Sequence, residues 1–82
     1  MLINTKGVEK MKIKVRLDTI TDIANFVLIA SQIKSDVFLT NNNGLKVNGK
    51  SFLGVAHAHE FNELWCECED DIYTHIQEFI VA

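Results

Sequence analysis

Apolar and charged residues alternate strictly over residues 10–17: Ile13, Val15 and Leu17 fall on one side, Lys12, Lys14 and Arg16 on the other. Side chains of an extended chain point to opposite faces in turn, so this stretch predicts a half-buried strand. The period then changes. Ile20, Ile23, Ala24, Val27 and Ala30 recur at helical spacing and predict a helix over residues 20–32. Thr19 stands where that helix needs a cap, and Asp22 follows three positions later, near the positive end of the helix dipole. The SDVFL run over residues 35–39 reads as a second strand. Asn41, Asn42, Asn43 and Gly44 tolerate positive φ and predict a turn. Residues 45–47 then pair back as a short third strand, closing a hairpin. Ser51 precedes Phe52, Leu53 and Val55 as a cap precedes a helix, here a short one over residues 52–58.

Alternation returns in ELWCECE, residues 63–69. Leu64, Cys66 and Cys68 share one side; Glu63, Trp65, Glu67 and Glu69 share the other, which predicts a fourth strand. Glu69, Asp70 and Asp71 suit the first turn of a last helix, whose apolar stripe is Ile72, Ile76, Phe79 and Ile80. The order is strand, helix, strand, strand, helix, strand, helix. An α+β fold satisfies it, with a four-stranded, largely antiparallel sheet covered on one face by three helices. Residues 1–9 show no strong period and read as a lead-in or the start of an extra strand. Residues 10–82 make one domain, without repeats, low-complexity tracts or linkers.

Composition narrows the function. The 82 residues suffice for one domain with a modest core. Hydrophobic residues make up 48% and charged residues 23%, which excludes a disordered chain. A net charge of −3 gives no electrostatic reason to seek nucleic acid, and the Lys12, Lys14 and Arg16 stripe reads as a solvated sheet face. No apolar run approaches membrane-spanning length, and Met1-Leu2-Ile3 is too short for a secretory signal. Two cysteines are too few for a disulfide framework, so a reduced, cytoplasmic protein is expected.

Candidate chemistry is sparse. His57, His59, Glu60, Cys66 and Cys68 hold metal-ligating types, but their spacing is no known zinc pattern, and Cys66 is expected in the core beside Leu64. No metal or cofactor is expected. His75 falls on the polar side of its helix. Trp65 shares a sheet face with Lys12, Lys14 and Arg16, and two readings stay open: cross-strand pairing among these residues and Glu63 and Glu67, or a partner or dimer surface. No paired carboxylates, phosphate loop or nucleophile–base constellation stands out, so an enzyme is not expected.

The element order and three segments resemble HPr, the histidine-containing phosphocarrier of bacterial sugar uptake. FVLIASQIKSDVFL (residues 26–39) is similar to the family's first helix and second strand. GLKVNGKSFLG (residues 44–54) is similar to its third strand and regulatory-serine segment, and CEDDIYTHIQEFI (residues 68–80) to its closing acidic turn and helix. The resemblance implies an open-faced sandwich with the order βαββαβα. It also exposes a departure. The family's active-site loop carries a histidine, then an arginine and a proline, at the start of the first helix. Here LDTITDIANFV has none of these, and the nearest position is Thr19. Phosphocarriage needs an imidazole nitrogen as nucleophile, and a threonine hydroxyl with no base beside it does not replace one. No histidine phosphotransfer is therefore expected.

Ser51, within VNGKS, is the family position that survives. In HPr of some bacteria this serine is phosphorylated by an ATP-dependent kinase, and the modified protein binds a catabolite-control transcription factor. A relative, Crh, lacks the histidine yet keeps the serine and the regulatory role, and this chain is similar to it in both respects. The resemblance thus implies a regulatory or adaptor protein of the phosphotransferase system, with a serine kinase and a transcription factor as partners. Phe52, Leu53, Val55 and Trp65 are candidate contacts. The plainer reading of Ser51 is a helix cap, worth about 1 kcal/mol. The alternative to the regulatory role is a structural or dimeric binding module with no sugar-transport link, present as a monomer or weak homodimer.

Overall fold

The computed structural model describes residues 11–41, 43–58, 60 and 63–81. The lead-in, with Lys10, His59 and Asn42, lies outside the described residues. Strand β1 (Met11–Val15) leads into helix α1 (Ile20–Ser31). Strands β2 (Val37–Thr40) and β3 (Lys46–Asn48) form the hairpin, and helix α2 (Phe52–Ala58) and strand β4 (Leu64–Cys68) follow. The sheet has four strands in the order β1-β4-β2-β3, and every neighbouring pair is antiparallel. β4 thus enters between the first two strands. No helix among the described residues is long and apolar enough to cross a membrane.

Register sorts the side chains. Ile13 lies opposite Cys66, and Cys66 opposite Leu39, on the side that faces the helices. All three are buried, as are Val37, Leu64 and Cys68. α1 presents Ile23, Phe26 and Ala30 to this layer, and α2 presents Val55 and Ala58. The Phe26 ring meets Phe79 edge-on, with centroids 5.9 Å apart. These residues form one cluster. The stripe expected for α1 needs correction at its first member: Ile20 is 74% exposed, while Phe26, which the spacing argument passed over, is fully buried. Phe26 lies three residues after Ile23 and four before Ala30, on the same helix face.

The hairpin turn follows its polar residues. The Asn41 side-chain oxygen accepts the N–H groups of Asn43 and Leu45 at 2.9 and 3.0 Å. Gly44 takes φ +88°, where a side chain would strain the backbone.

The closing helix differs from expectation. Residues 72–80 bury Ile72, Ile76 and Phe79 as the spacing predicts, but as two short 3-10 turns, Tyr73–His75 and Gln77–Phe79. The β-branched Ile72, Thr74 and Ile76 and the aromatic Tyr73 are weak helix formers, and a window this short gains little from helix propagation. The segment also ends in a competing interaction. Ile80 turns extended and bridges Val15. Arg16 N–H donates to the Phe79 carbonyl at 2.8 Å, and Val81 N–H to the Lys14 carbonyl at 3.1 Å, so the chain finishes against the open edge of β1. The sheet is therefore covered by two α-helices and a pair of 3-10 turns.

Candidate functional site

Two helix starts carry the candidate chemistry, and they are built differently. α1 begins at Thr19, whose backbone is extended at φ −128° and ψ 165°. Its Oγ1 accepts the Asp22 N–H at 3.0 Å, and the Asp22 carboxylate accepts the Thr19 N–H at 3.2 Å, closing the capping box that the spacing predicts. The same carboxylate oxygen accepts the Asp18 N–H at 2.9 Å. Arg16 Nε–H donates to Asp18 Oδ1, also at 2.9 Å. The positive end of the α1 dipole is thus met by the chain's own anion. A phosphoryl group arriving here meets a carboxylate at the dipole's positive end, and the Thr19 hydroxyl is occupied as a cap.

α2 begins at Ser51, which is half-buried. Each residue of the preceding segment fixes it in place. The Asn48 side chain accepts the Lys50 N–H at 2.9 Å, and the Asn48 carbonyl accepts the Ser51 N–H at 3.1 Å. Gly49 N–H donates to the Val37 carbonyl at 2.6 Å. A Cβ on Gly49 would lie 2.9 Å from a Val37 methyl, so only glycine lets the chain pass this close to β2. The Lys50 ammonium donates to the Ile33 carbonyl at 2.6 Å, just past the end of α1, where a cation complements the dipole. Ser51 Oγ accepts the Gly54 N–H at 3.2 Å, as the cap reading expects, and its carbonyl accepts the Val55 N–H at 2.9 Å. No carboxylate shares this helix start: the first turn of α2 holds no acidic residue.

Beside Ser51, Phe52 is 45% and Leu53 83% exposed. Val55 is not part of that surface. It is fully buried, because three residues beyond Phe52 the helix has turned it, with Ala58, toward the sheet. Spacing within the seven-residue helix is enough to separate Val55 from Leu53. The large exposed apolar residues also include Ile20 and Leu28 of α1, whose exposure only tertiary packing decides.

The other candidates fall elsewhere. Trp65 lies on the opposite side of the sheet and is half-buried. Its Nε1–H donates to Glu63 Oε1 at 3.2 Å, and the Lys14 ammonium lies 5.9 Å from its ring. Cys66 and Cys68 face the core, as alternation predicts. Burial, followed by the neighbouring Cys68 and Glu67, pushes the Cys66 thiol up to about 12. Burial also raises Cys68. Thiols held protonated are poor nucleophiles and poor metal ligands. Among the described residues no group of three or more His, Cys, Asp or Glu side chains converges as a metal site requires. His57 and His75 are exposed on α2 and the first 3-10 turn.

Neither a protein-family model nor a curated protein matches this sequence. A solved structure does: the crystal structure of HPr-C-His from Thermoanaerobacter tengcongensis has a TM-score of 0.61 with this chain at 24% identity, covering 85% of this chain and 83% of that one. The chain therefore has the HPr-like open-faced sandwich fold, which is what a likeness at that identity establishes.

Proposed function

We propose that this chain is a regulatory or adaptor protein of the HPr type that carries no phosphate on histidine and is switched, as Crh is, by phosphorylation of Ser51. The reading assigns it protein binding rather than catalysis. The observation that carries it is the contrast between the two helix starts. At α1 the Asp22 carboxylate already meets the N–H groups of Asp18 and Thr19, and no imidazole stands at Thr19. At α2 a serine opens the helix, no acidic side chain occupies its first turn, and exposed Phe52 and Leu53 flank it. The HPr-like fold supports a link to the phosphotransferase system. In the modification, Ser51 Oγ takes the γ-phosphoryl group of ATP, ADP leaves, and the hydroxyl proton passes to the kinase. The product places a dianion at the positive end of α2, beside an apolar contact surface. The partners this reading assigns are a serine kinase and a catabolite-control transcription factor.

The test is intact mass after incubation with ATP and the serine kinase that acts on HPr, with Ser51→Ala as control. One added phosphate, lost in the control, is the expected result. No added phosphate, with the kinase active on an ordinary HPr, overturns the reading and leaves Ser51 as a cap.

A further inference from the structure

Asparagine is followed by glycine at two places in this chain, Asn43-Gly44 and Asn48-Gly49. The sequence carries chemistry of its own. The backbone nitrogen of the following residue can attack the asparagine carboxamide carbon, and glycine puts no side chain in the way. Asparagine elsewhere precedes Thr5, Phe26, Asn42, Asn43 or Glu63, each with a side chain that hinders the approach. Both Asn43 and Asn48 are exposed, so exposure of the carboxamide does not separate the pairs. Their glycine nitrogens do. Gly44 is exposed, and its N–H reaches the Asn41 carbonyl only at 3.4 Å. A Cβ there would meet nothing within 4 Å, so the turn has room to change shape. Gly49 is buried, its N–H donates to the Val37 carbonyl at 2.6 Å, and a Cβ on it would lie 2.9 Å from a Val37 methyl. The Asn48 side chain is held as well: its oxygen accepts the Lys50 N–H at 2.9 Å, and the residue pairs with Phe38 in the sheet.

We propose that Asn43 is a spontaneous modification site of the folded protein, converting to aspartate and isoaspartate, and that the same pair at Asn48 is kept unreactive by its attachment to β2. In the first step the Gly44 nitrogen gives its proton to a solvent base and bonds to Asn43 Cγ. The Cγ–Nδ2 bond breaks, and ammonia leaves with a proton from solvent. The product is a cyclic imide. Water then adds to either ring carbonyl and opens it, to aspartate on one side or to isoaspartate on the other. Water is the only co-reactant, and nothing is oxidised or reduced. Each conversion replaces a neutral amide by a carboxylate, so the net charge becomes one unit more negative than −3. Isoaspartate also routes the backbone through the former side chain, adding a methylene to the turn where the Asn41 side chain gathers the N–H groups of Asn43 and Leu45. At Asn48 the same attack requires the Gly49 nitrogen to leave Val37 and β3 to part from β2, a local opening with its own free-energy cost. The proposal does not depend on the phosphorylation of Ser51.

A peptide map of the whole chain, taken after the folded protein has stood in mildly alkaline buffer, tests this. Trypsin cuts after Lys34, Lys46 and Lys50, so the two pairs fall in separate peptides, residues 35–46 and 47–50. The expected result is a mass gain in the first peptide equal to the exchange of an amino group for a hydroxyl, placed at Asn43 by fragmentation. Its rate is expected to exceed that of the second peptide about tenfold or more, since attack at Asn48 waits on local opening. In urea strong enough to unfold the chain, the second peptide catches up. Labelling with an isoaspartyl methyltransferase reads the isoaspartate independently, and Asn43→Ser removes both the mass gain and the label from the first peptide. Equal rates in the folded protein, a faster gain at Asn48, or no gain at Asn43 by the time the unfolded chain has converted each overturn the proposal.

Discussion

The two sides of the sheet are made by the same strands, one residue apart, yet they do different physical work. On the helix side the row Ile13, Cys66, Leu39 is closed to water and carries no charge. On the other side the row Lys14, Trp65, Thr40, Lys46 mixes an aromatic ring with ammonium groups. Glu67 sits between Lys12 at 3.7 Å and Lys46 at 3.4 Å, and Lys14 reaches Glu63 at 3.8 Å. Apolar burial stabilises the fold more than these pairs do, since partly exposed ion pairs contribute from nothing to about 1 kcal/mol each. The helix side therefore holds the fold together. The outer side carries the charges, with the Lys14 and Lys46 ammonium groups over the Trp65 and Phe38 rings.

The sharpest way to break this comparison is to remove one phenyl ring from each side. Phe26 is fully buried against Phe79, so Phe26→Ala is expected to cost about 3–5 kcal/mol. A small domain has only about 5–15 kcal/mol in total, so much of its stability goes. Phe38 lies on the outer side with the Lys46 ammonium 5.0 Å from its ring, and it is half-buried. Phe38→Ala is expected to cost less than half as much. Urea denaturation midpoints at equal slope measure both. Equal losses would mean that the outer side is a second core.

The helix side also makes stability depend on pH. Folded, Cys66 holds its proton up to about 12; unfolded, it releases it near its ordinary value of 9.0. Its contribution is complete below 9.0 and falls as pH rises from there toward 12, because the unfolded chain then loses a proton that the folded chain keeps. One such group gives a slope of at most about 1.4 kcal/mol per pH unit, and the raised Cys68 adds in the same direction. The comparison that isolates this group is with Cys66→Ala. The variant is expected to lose stability less steeply across the alkaline window. Identical alkaline profiles would show that the thiol is not buried.

How much of this is legible in the sequence depends on whether a local rule settles it. Alternation places Cys66 and Cys68 in the core, and Ser51 and Thr19 announce their helices, because side-chain direction and capping are decided within a few residues. α2 lies at Phe52–Ala58, as its cap and apolar residues indicate. The last helix is misjudged because the spacing of Ile72, Ile76 and Phe79 fits both an α-helix and two 3-10 turns. The choice is made by a remote partner, the open edge of β1 that takes Ile80. Ile20 is misjudged for a related reason: it fits the stripe, yet it stands in the first turn, at the edge of the face that Ile23, Phe26 and Ala30 bury, and is left exposed. At the site, the capping roles of Thr19 and Ser51 can be read directly. The bond from Lys50 to Ile33 and the contact of Gly49 with Val37 cannot, since both join residues far apart in the chain.

The smallest expected effect lies where the two sides blur. Thr40 points to the outer side, between Trp65 and Lys46, yet it is only 4% exposed, and its Oγ1 has no hydrogen-bond partner among the described residues. A hydroxyl buried without a partner gives up its water bonds for nothing, at a cost of about 1–3 kcal/mol. Valine has nearly the same shape, keeps the branched Cβ that suits a strand and leaves no polar atom behind. Thr40→Val is therefore expected to stabilise the protein by about 1 kcal/mol, visible as a higher urea midpoint at unchanged slope. The direction matters more than the size. A gain places Thr40 with the dry rows, so that the sheet's outer side has its own small apolar centre beneath Trp65. A loss would mean that the hydroxyl is solvated or bonded in solution, and that the outer side is polar from edge to edge.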